Sequence, residues 1–390
     1  MANNLGFYNP QFYANEALIW LRKRLGMLGS VYRGYDEERR TFGQGDTINI
    51  RRPSKFEVRD APSTSQDINP DSLKLNLDFH KEVKIALTDK ELAFTGERII
   101  NEHIQPAAYA IGDFVDTVLA QLYQDIPWHV GFSKGSPPSS FVSVMTDARQ
   151  RLFDNEVPLS DRRMVHGLVD GYLENKFLQE QAFSQAQGAG DRGVASQETG
   201  MLGPKFGINW FASQNAQQHT AGSITASAPK LDGGGSAVAQ GASEITIDDT
   251  TLTGTVKKGD TLVIDGGTQR YAITADATAA GNAITVQITP PLVQEYADEA
   301  AVTFDQVDHT ANLVFHRNAF AVAFGALPAE LIRRIAGAQV FVAQDPESGL
   351  SVRSRLYYDG DNSTVKVALD VLFGVKTLDP NLATRIRAAA

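Results

Sequence analysis

Residues 73–87 alternate strictly enough to dictate what they can form. Odd positions carry Leu73, Leu75, Leu77, Phe79, Val83, Ile85 and Leu87. Even positions carry Lys74, Asn76, Asp78, His80, Glu82 and Lys84, and only Lys81 interrupts the apolar row. A period of two residues puts one row on each face of a β-strand. At about 3.3 Å per residue the segment spans about 50 Å, whereas a usual strand has about 5–6 residues. Such a strand is expected to overhang a compact body, and its apolar face then needs a cover. A second copy of the chain is the simplest cover, so the pattern points to assembly before chemistry.

The flanking sequence suits a ribbon. Residues 46–52 alternate too, with Ile48 and Ile50 on one side, until Pro53 stops the run. Residues 56–59 can resume it, and the Pro/Ser/Asp-rich stretch 61–71 reads as a loop tip. A two-stranded arm of this kind is marginal alone in water. Arg51, Arg52, Lys55 and Arg59 form a basic group on the outgoing strand, either a solvated face or a partner for acids of a neighbouring subunit. Near the N-terminus, Asn9-Pro10 signals a helix start. Ala14, Leu18, Leu21, Leu25 and Leu28 follow at helical spacing, with Phe7, Tyr8, Phe12 and Trp20 as aromatic anchors. Periodicity fits an amphipathic arm and a first core helix equally. The candidate interface residues are therefore Phe7, Tyr8, Phe12, Trp20 and Leu21 on the arm. On the ribbon they are Ile48, Ile50, Arg51, Arg52, Lys55, Arg59, Leu75, Leu77, Phe79, Val83 and Ile85.

Composition narrows the class. A chain of 390 residues with 42% hydrophobic side chains allows two or three domains with a sizeable core. The chain has no cysteine, which removes disulfides, thiol catalysis and cysteine-based metal sites. No signal peptide or spanning apolar run is visible, so a soluble protein made in a cytoplasm is expected. The net charge of −10 argues against general nucleic-acid affinity. Residues 223–308 hold 12 of the 46 acidic but only 4 of the 36 basic residues, a shift that marks a separate module.

Further along, a short helix is expected at 89–94. A longer one should run from about 105 to 125 on the row Ile104, Ala108, Ile111, Val115, Leu119, with Pro106 starting or kinking it. Ser140 should cap a helix reaching Phe153, with a strand at 163–169 and a helix at 171–183 to follow. A Gln/Gly/Ser-rich loop is expected at 185–199 and a strand at 206–212. The Thr/Gly-rich module should hold strands at 244–247, 261–264, 271–275 and 283–288, spaced as in a small sandwich or barrel. Beyond it come a strand at 313–316, a helix at 329–336, and a hairpin of 351–358 and 364–375 turned by Asp359-Gly360-Asp361-Asn362.

Chemistry is not legible. There is no phosphate loop, dinucleotide fingerprint, nucleophile elbow or HExxH. His80 and His103 lack a second histidine at ligand spacing. Asp359–Asn362 resembles half a calcium loop without its glycine and closing glutamate, and a hairpin turn accounts for it better. Gly233-Gly234-Gly235 reads as a linker. No catalytic residue, cofactor or metal is expected.

Three stretches carry a resemblance. Gly200-Met201-Leu202-Gly203-Pro204-Lys205-Phe206-Gly207-Ile208-Asn209-Trp210 forms a glycine-bounded strand. Lys257-Lys258-Gly259-Asp260 through Gly266, with residues 283–290, forms a turn–strand–Gly … strand–Pro pattern, and residues 312–320 follow the module. In these stretches, and in element order over nearly the whole chain, the sequence resembles the major capsid proteins of tailed bacteriophages with the HK97 fold. It is most similar to the P22 coat protein-like branch, which carries an extra β-rich insertion.

The resemblance implies an α+β HK97-like capsid fold. An N-terminal arm would occupy 1–35, an extended β-ribbon loop 36–88, and the spine helix with peripheral domain 89–128. The axial domain would take 129–221, an inserted small β-barrel or sandwich 222–309, and a return to axial and peripheral domains 310–390. It implies a major capsid protein and no enzyme, self-assembling into an icosahedral shell around double-stranded viral DNA that it does not read by sequence. Its partners would be its own copies in hexamers and pentamers, a scaffolding protein, a portal and, in some shells, a decoration protein, with no membrane. It would reside in the virion capsid after assembly in a bacterial host cytoplasm. The Lys–Asn crosslinks of some such shells find no match here. Two other readings stay open: an encapsulin-like nanocompartment shell with protein cargo, and a soluble binding protein with an immunoglobulin-like β insertion.

Overall fold

The structure, a computed structural model, describes residues 14–19, 26–33, 47–51, 58, 60–61, 65, 72–161, 163–181, 199–325, 327, 339–344 and 350–389, with residues 51 and 89–102 as backbone only. Phe7, Tyr8, Phe12, Trp20, Leu21, Arg52, Lys55 and Arg59 lie outside them. So do the strand expected at 56–59 apart from Val58, most of the tip at 61–71, the loop at 185–198 and the helix at 329–336. The chain divides into two compact units, residues 1–116 with 321–378, and residues 117–320 with 379–390.

In the first unit the alternating segment is two strands and not one. Ser72–Asn76 pairs antiparallel with Thr47–Arg51, placing Ile48 opposite Leu75 and Ile50 opposite Leu73. Phe79–Thr88 pairs instead with Thr364–Thr377, placing Phe79 opposite Phe373 and Thr88 opposite Thr364. Leu77 and Asp78 are where the chain changes partner while keeping its alternation. Strands Ser351–Asp359, Gln339–Gln344 and Phe320–Gly325 complete a five-stranded sheet with these two.

The expectation of an overhanging apolar face is corrected. Ile48, Ile50, Leu75 and Leu77 form a buried cluster with Ala321, Ala323 and Leu378 of the same chain, Leu75 being 0% exposed. Burying one such leucine contributes about 1.5–3 kcal/mol, enough for the chain to cover its own row wherever it can reach. Phe79 stacks on Phe373 at 5.2 Å and meets Phe114 edge-on at 6.3 Å, and Val83 and Ile85 are half-buried.

Gly374 explains how tightly the ribbon sits. A Cβ there would come within 2.0 Å of the Asn76 carbonyl oxygen. Only glycine lets the two backbones approach so closely. Gly374→Ala is expected to destabilise the unit by about 1–3 kcal/mol, as overpacking does. The first sign would be faster amide exchange in residues 72–76, with no change in the strand 351–359.

Helix Asp89–Ala120 runs for 32 residues with Pro106 inside it, followed by the 3-10 turn Gln121–Asp125. The separate helices expected on either side of Pro106 are therefore one. The apolar row Ile104, Ala108, Ile111, Val115 and Leu119 is buried, and its packing outweighs the local cost of about 3 kcal/mol for an interior proline. The buried Asp116 carboxylate accepts the backbone N–H groups of Gly26 (2.9 Å) and Leu28 (3.0 Å) and so tethers the turn Met27–Ser30. Ala14 and Ala17 are also buried.

The second unit contains a mixed seven-stranded sheet. Its order is His129–Ser133, Ala383–Ala389, His309–His316, Val165–Val169, Ile208–Ala212, Gly203–Lys205, with Gln217–His219 beside His309–His316. Helix Phe141–Asp154 is capped by Ser140, as expected, and helix Gly171–Gln179 by Asp170. Both cover an apolar cluster that includes Leu152, Leu173, Phe177, Trp210, Val314 and Ile386. The strand expected at 206–212 begins at Ile208. Phe206 and Gly207 have φ of 52° and 77° and form the hairpin turn, whose Phe206 carbonyl accepts from Arg149 at 2.7 Å. Gly167 faces the Trp210 ring, which an added Cβ would meet at 2.4 Å.

The segment 224–305 holds a six-stranded sheet and the short pair Thr255–Val256 with Ala277–Thr278, with an apolar cluster of its own that includes Ile247, Leu262, Ile264, Tyr271 and Ile284. The sheet's order is Val302–Asp305, Thr261–Ile264, Arg270–Ile273, Ala283–Thr289, Glu244–Asp248, Lys230–Asp232. The two outer strands meet, since Leu231 N–H bonds the Ala300 carbonyl and Val302 N–H the Pro229 carbonyl, each at 2.9 Å. That closure produces a small barrel. Asp359–Asn362 is a hairpin turn: the Asp359 carboxylate is taken by the Asp361 N–H, the Asn362 amide and the Lys366 ammonium.

Candidate functional site

Two polar constellations stand out. The first lies on the five-stranded sheet of the first unit. Glu82, Asp370 and Arg353 sit across three neighbouring strands in one register row. Asp370 is fully buried. It takes a bidentate pair from Arg353, and Arg355 at 3.2 Å and His80 at 3.3 Å add to it. Arg355 also binds Glu82, which Lys84 reaches at 3.0 Å. The hydrogen bond from Lys84 holds Glu82 below the usual carboxylate range, and Glu82 raises Lys84 in return. The wet row of the alternating segment thus becomes one side of a cross-strand charge network. Its groups are matched in sign, which locks register and leaves no unpaired nucleophile or acid.

Of the candidate interface residues, the structure brings Ile48, Ile50, Leu75 and Leu77 together in one buried cluster and places Phe79, Val83 and Ile85 half-buried along the next strand. Arg51 ends the strand Thr47–Arg51, opposite Ser72. Residues 52–71 therefore link the two closed ends of the ribbon.

The second constellation joins the barrel to the rest of its unit, and sequence reading missed it. It centres on strand Ala383–Ala389, which pairs with His309–His316 on one side and, in parallel, with His129–Ser133 on the other. Thr384, Ile386 and Ala388 alternate with Arg385 and Arg387, and both arginines are buried. Arg385 donates to the Gly259 carbonyl at 2.8 Å. Arg387 donates to the Thr261 hydroxyl at 2.8 Å and to Asp305 at 3.0 Å. Asp305 also receives Arg270 at 2.9 Å and His129 at 3.0 Å. Against its burial, the His129 hydrogen bond and the Arg387 charge keep Asp305 well below the ordinary carboxylate range.

Beside it runs a relay. The Asp260 carboxylate accepts His219 Nε2–H at 2.9 Å, and His219 Nδ1 is hydrogen-bonded to the Tyr123 hydroxyl at 3.0 Å. Asp260 takes three further donors: the Lys257 and Gly222 N–H groups at 2.8 and 3.0 Å and the Gln306 amide at 2.9 Å. The order Asp–His–Tyr has the outline of a proton relay, but every member is buried and bonded to structural groups, so it orients and does not react. Arg385 is pulled down to about 9 by burial and by Arg387 and stays charged at neutral pH.

No protein-family model matches the sequence, and no curated protein matches it significantly. Solved structures do match. A structure of Mycobacterium phage Che8 superposes with a TM-score of 0.51 at 13% identity, covering 93% of this chain and 90% of that one. A capsid structure of the cyanophage P-SCSP1u gives 0.48 at 11% identity, over 89% and 85%. A virus-like particle from Pyrococcus furiosus gives 0.42 at 8%, over 96% and 98%. The chain therefore shares its α+β fold with the Mycobacterium phage Che8 structure over nine-tenths of both chains.

Proposed function

We propose that this protein is the major subunit of an icosahedral, phage-type capsid that encloses double-stranded DNA. One observation carries the reading: a likeness in fold to the Mycobacterium phage Che8 structure that runs over nine-tenths of both chains. The barrel at 222–309 fits the inserted domain of the P22 coat protein-like branch, because it has a separate apolar cluster and returns the chain to the sheet beside the strand it left. Its acidic balance suits a wall that does not grip DNA. In this reading the partners are further copies in hexamers and pentamers, a scaffolding protein and a portal.

Subunit contacts are assigned to the N-terminal arm with Phe7, Tyr8, Phe12, Trp20 and Leu21, and to the ribbon end with Arg51, Arg52, Lys55 and Arg59. The exposed edge beside Phe79, Val83 and Ile85 adds to them. Each contact can be weak, because a closed lattice repeats it many times. An encapsulin-like shell is separated by content. Particles purified from the native source should carry nuclease-protected DNA, and particles holding a single protein cargo and no DNA would favour the nanocompartment.

A further inference from the structure

We propose that the seam between the barrel and the rest of its unit is an acid-opened latch, shut while His309 and His129 are neutral among two buried arginines and two carboxylates. The barrel and the body have separate apolar clusters. The polar contacts just described cross between them at this seam, together with Lys258 and Asp125 at 3.8 Å. The latch does not depend on the shell reading, since every group in it belongs to one chain.

His309 is the tightest point. Its Nδ1–H donates to the Val307 carbonyl at 2.6 Å, and its buried Nε2 has no hydrogen-bond partner among the described residues. Its ring lies 4.9 Å from that of His219. The groups around it are Arg385 and Arg387 from the last strand, His219 with Asp260 behind it, and Lys134 and Asp308 on a cavity of about 180 Å³ that it helps to line. A proton on Nε2 would add a buried cation with nothing to accept it, beside two guanidiniums of which Arg387 already occupies Asp305 and Arg385 the Gly259 carbonyl.

His129 lies on the other side of the same arginines, bonded to Asp305, with Arg270 beyond. Burial pushes His309 down to about 3 and His129 to about 4. Both regain the ordinary value near 6.5 if the seam opens. Above pH 6.5 each histidine is neutral whether the seam is closed or open and favours neither state; as pH falls from 6.5 towards 4 the open seam takes up the proton and the closed seam does not, so closure weakens. Opening then gains about tenfold per pH unit per histidine.

Amide exchange of the full chain at pH 7.0 and 4.5, corrected for intrinsic rates, tests this. The reporters are the Gly222 and Lys257 amides, which bond Asp260 directly, and the control is the barrel strand Ala283–Thr289. The latch requires the reporters to accelerate about 100-fold or more at pH 4.5 while the control stays protected. His309→Asn with His129→Gln keeps neutral donors in place and should cut the acceleration to about fivefold or less. His166→Gln removes a histidine that burial also depresses to about 4, but outside the seam, and should leave the acceleration unchanged. Reporters that ignore acid, reporters and control that accelerate together, or a double variant that tracks the parent would each overturn the proposal. The contrast between seam and control in the unsubstituted chain stands even if the double variant fails to fold.

Discussion

Asp305→Ala is expected to unfold the second unit more readily than any substitution on the molecule's surface, by about 3 kcal/mol, the low end of the usual cost of removing one partner from a buried ion pair, because Arg387 is buried while the Asp305 carboxylate is partly exposed. Three donors converge on this carboxylate from separate elements: His129, Arg270 and Arg387. Without it, Arg387 is a buried guanidinium beside a second buried guanidinium, Arg385. For a unit of this size the loss corresponds to a fall in melting temperature of about 10 °C. Asp305→Asn keeps an acceptor but not the charge and should fall between the two. Calorimetry of the purified chain checks both. A melting temperature within about 2 °C of the parent for Asp305→Ala would show that the seam is held by something other than its charges.

The second large effect concerns assembly. Strands Thr47–Arg51 and Ser72–Asn76 close as a pair at Arg51 opposite Ser72. A short Asn-Gly turn can therefore replace residues 52–71 without touching the buried cluster of Ile48, Ile50, Leu75 and Leu77. We expect this variant to fold with the parent's melting temperature and to lose shells entirely, because the lattice is lost once a contact repeated at every subunit is removed. Sedimentation and electron microscopy on the same preparation read both properties. A wider deletion reaching residue 86 would be uninformative, since it removes the strand that pairs with Thr364–Phe373 and so damages the sheet itself.

Local pattern was legible and partnership was not. In the barrel, short β-branched runs between glycine turns placed four strands to within two residues, because each strand's inner face is a simple row such as Ile245, Ile247 or Ile284, Val286, Ile288. The Ser140 cap follows from an equally local rule, whereas Phe206 and Gly207, expected within a strand, form the turn before it. The segment 73–87 shows the limit. Its alternation is continuous, yet it serves two partners, and nothing in its letters marks Leu77–Asp78 as the change.

Pro106 looked like a boundary because its cost is local, while the packing that overrides it comes from other parts of the chain. The last strand was missed for a related reason. Arg385 and Arg387 read as surface residues, and only Asp305, Thr261 and the Gly259 carbonyl, far away in sequence, make their burial affordable. The alternation from Thr384 to Ala388 is a strand signal, but it carries no sign of the strand's role.

The most direct test of the account is a micrograph of the purified chain, expressed with the genes beside its own. Closed particles of uniform diameter, with this protein as their wall, are expected. A monodisperse monomer at high concentration, with no particles under any co-expression, would contradict it.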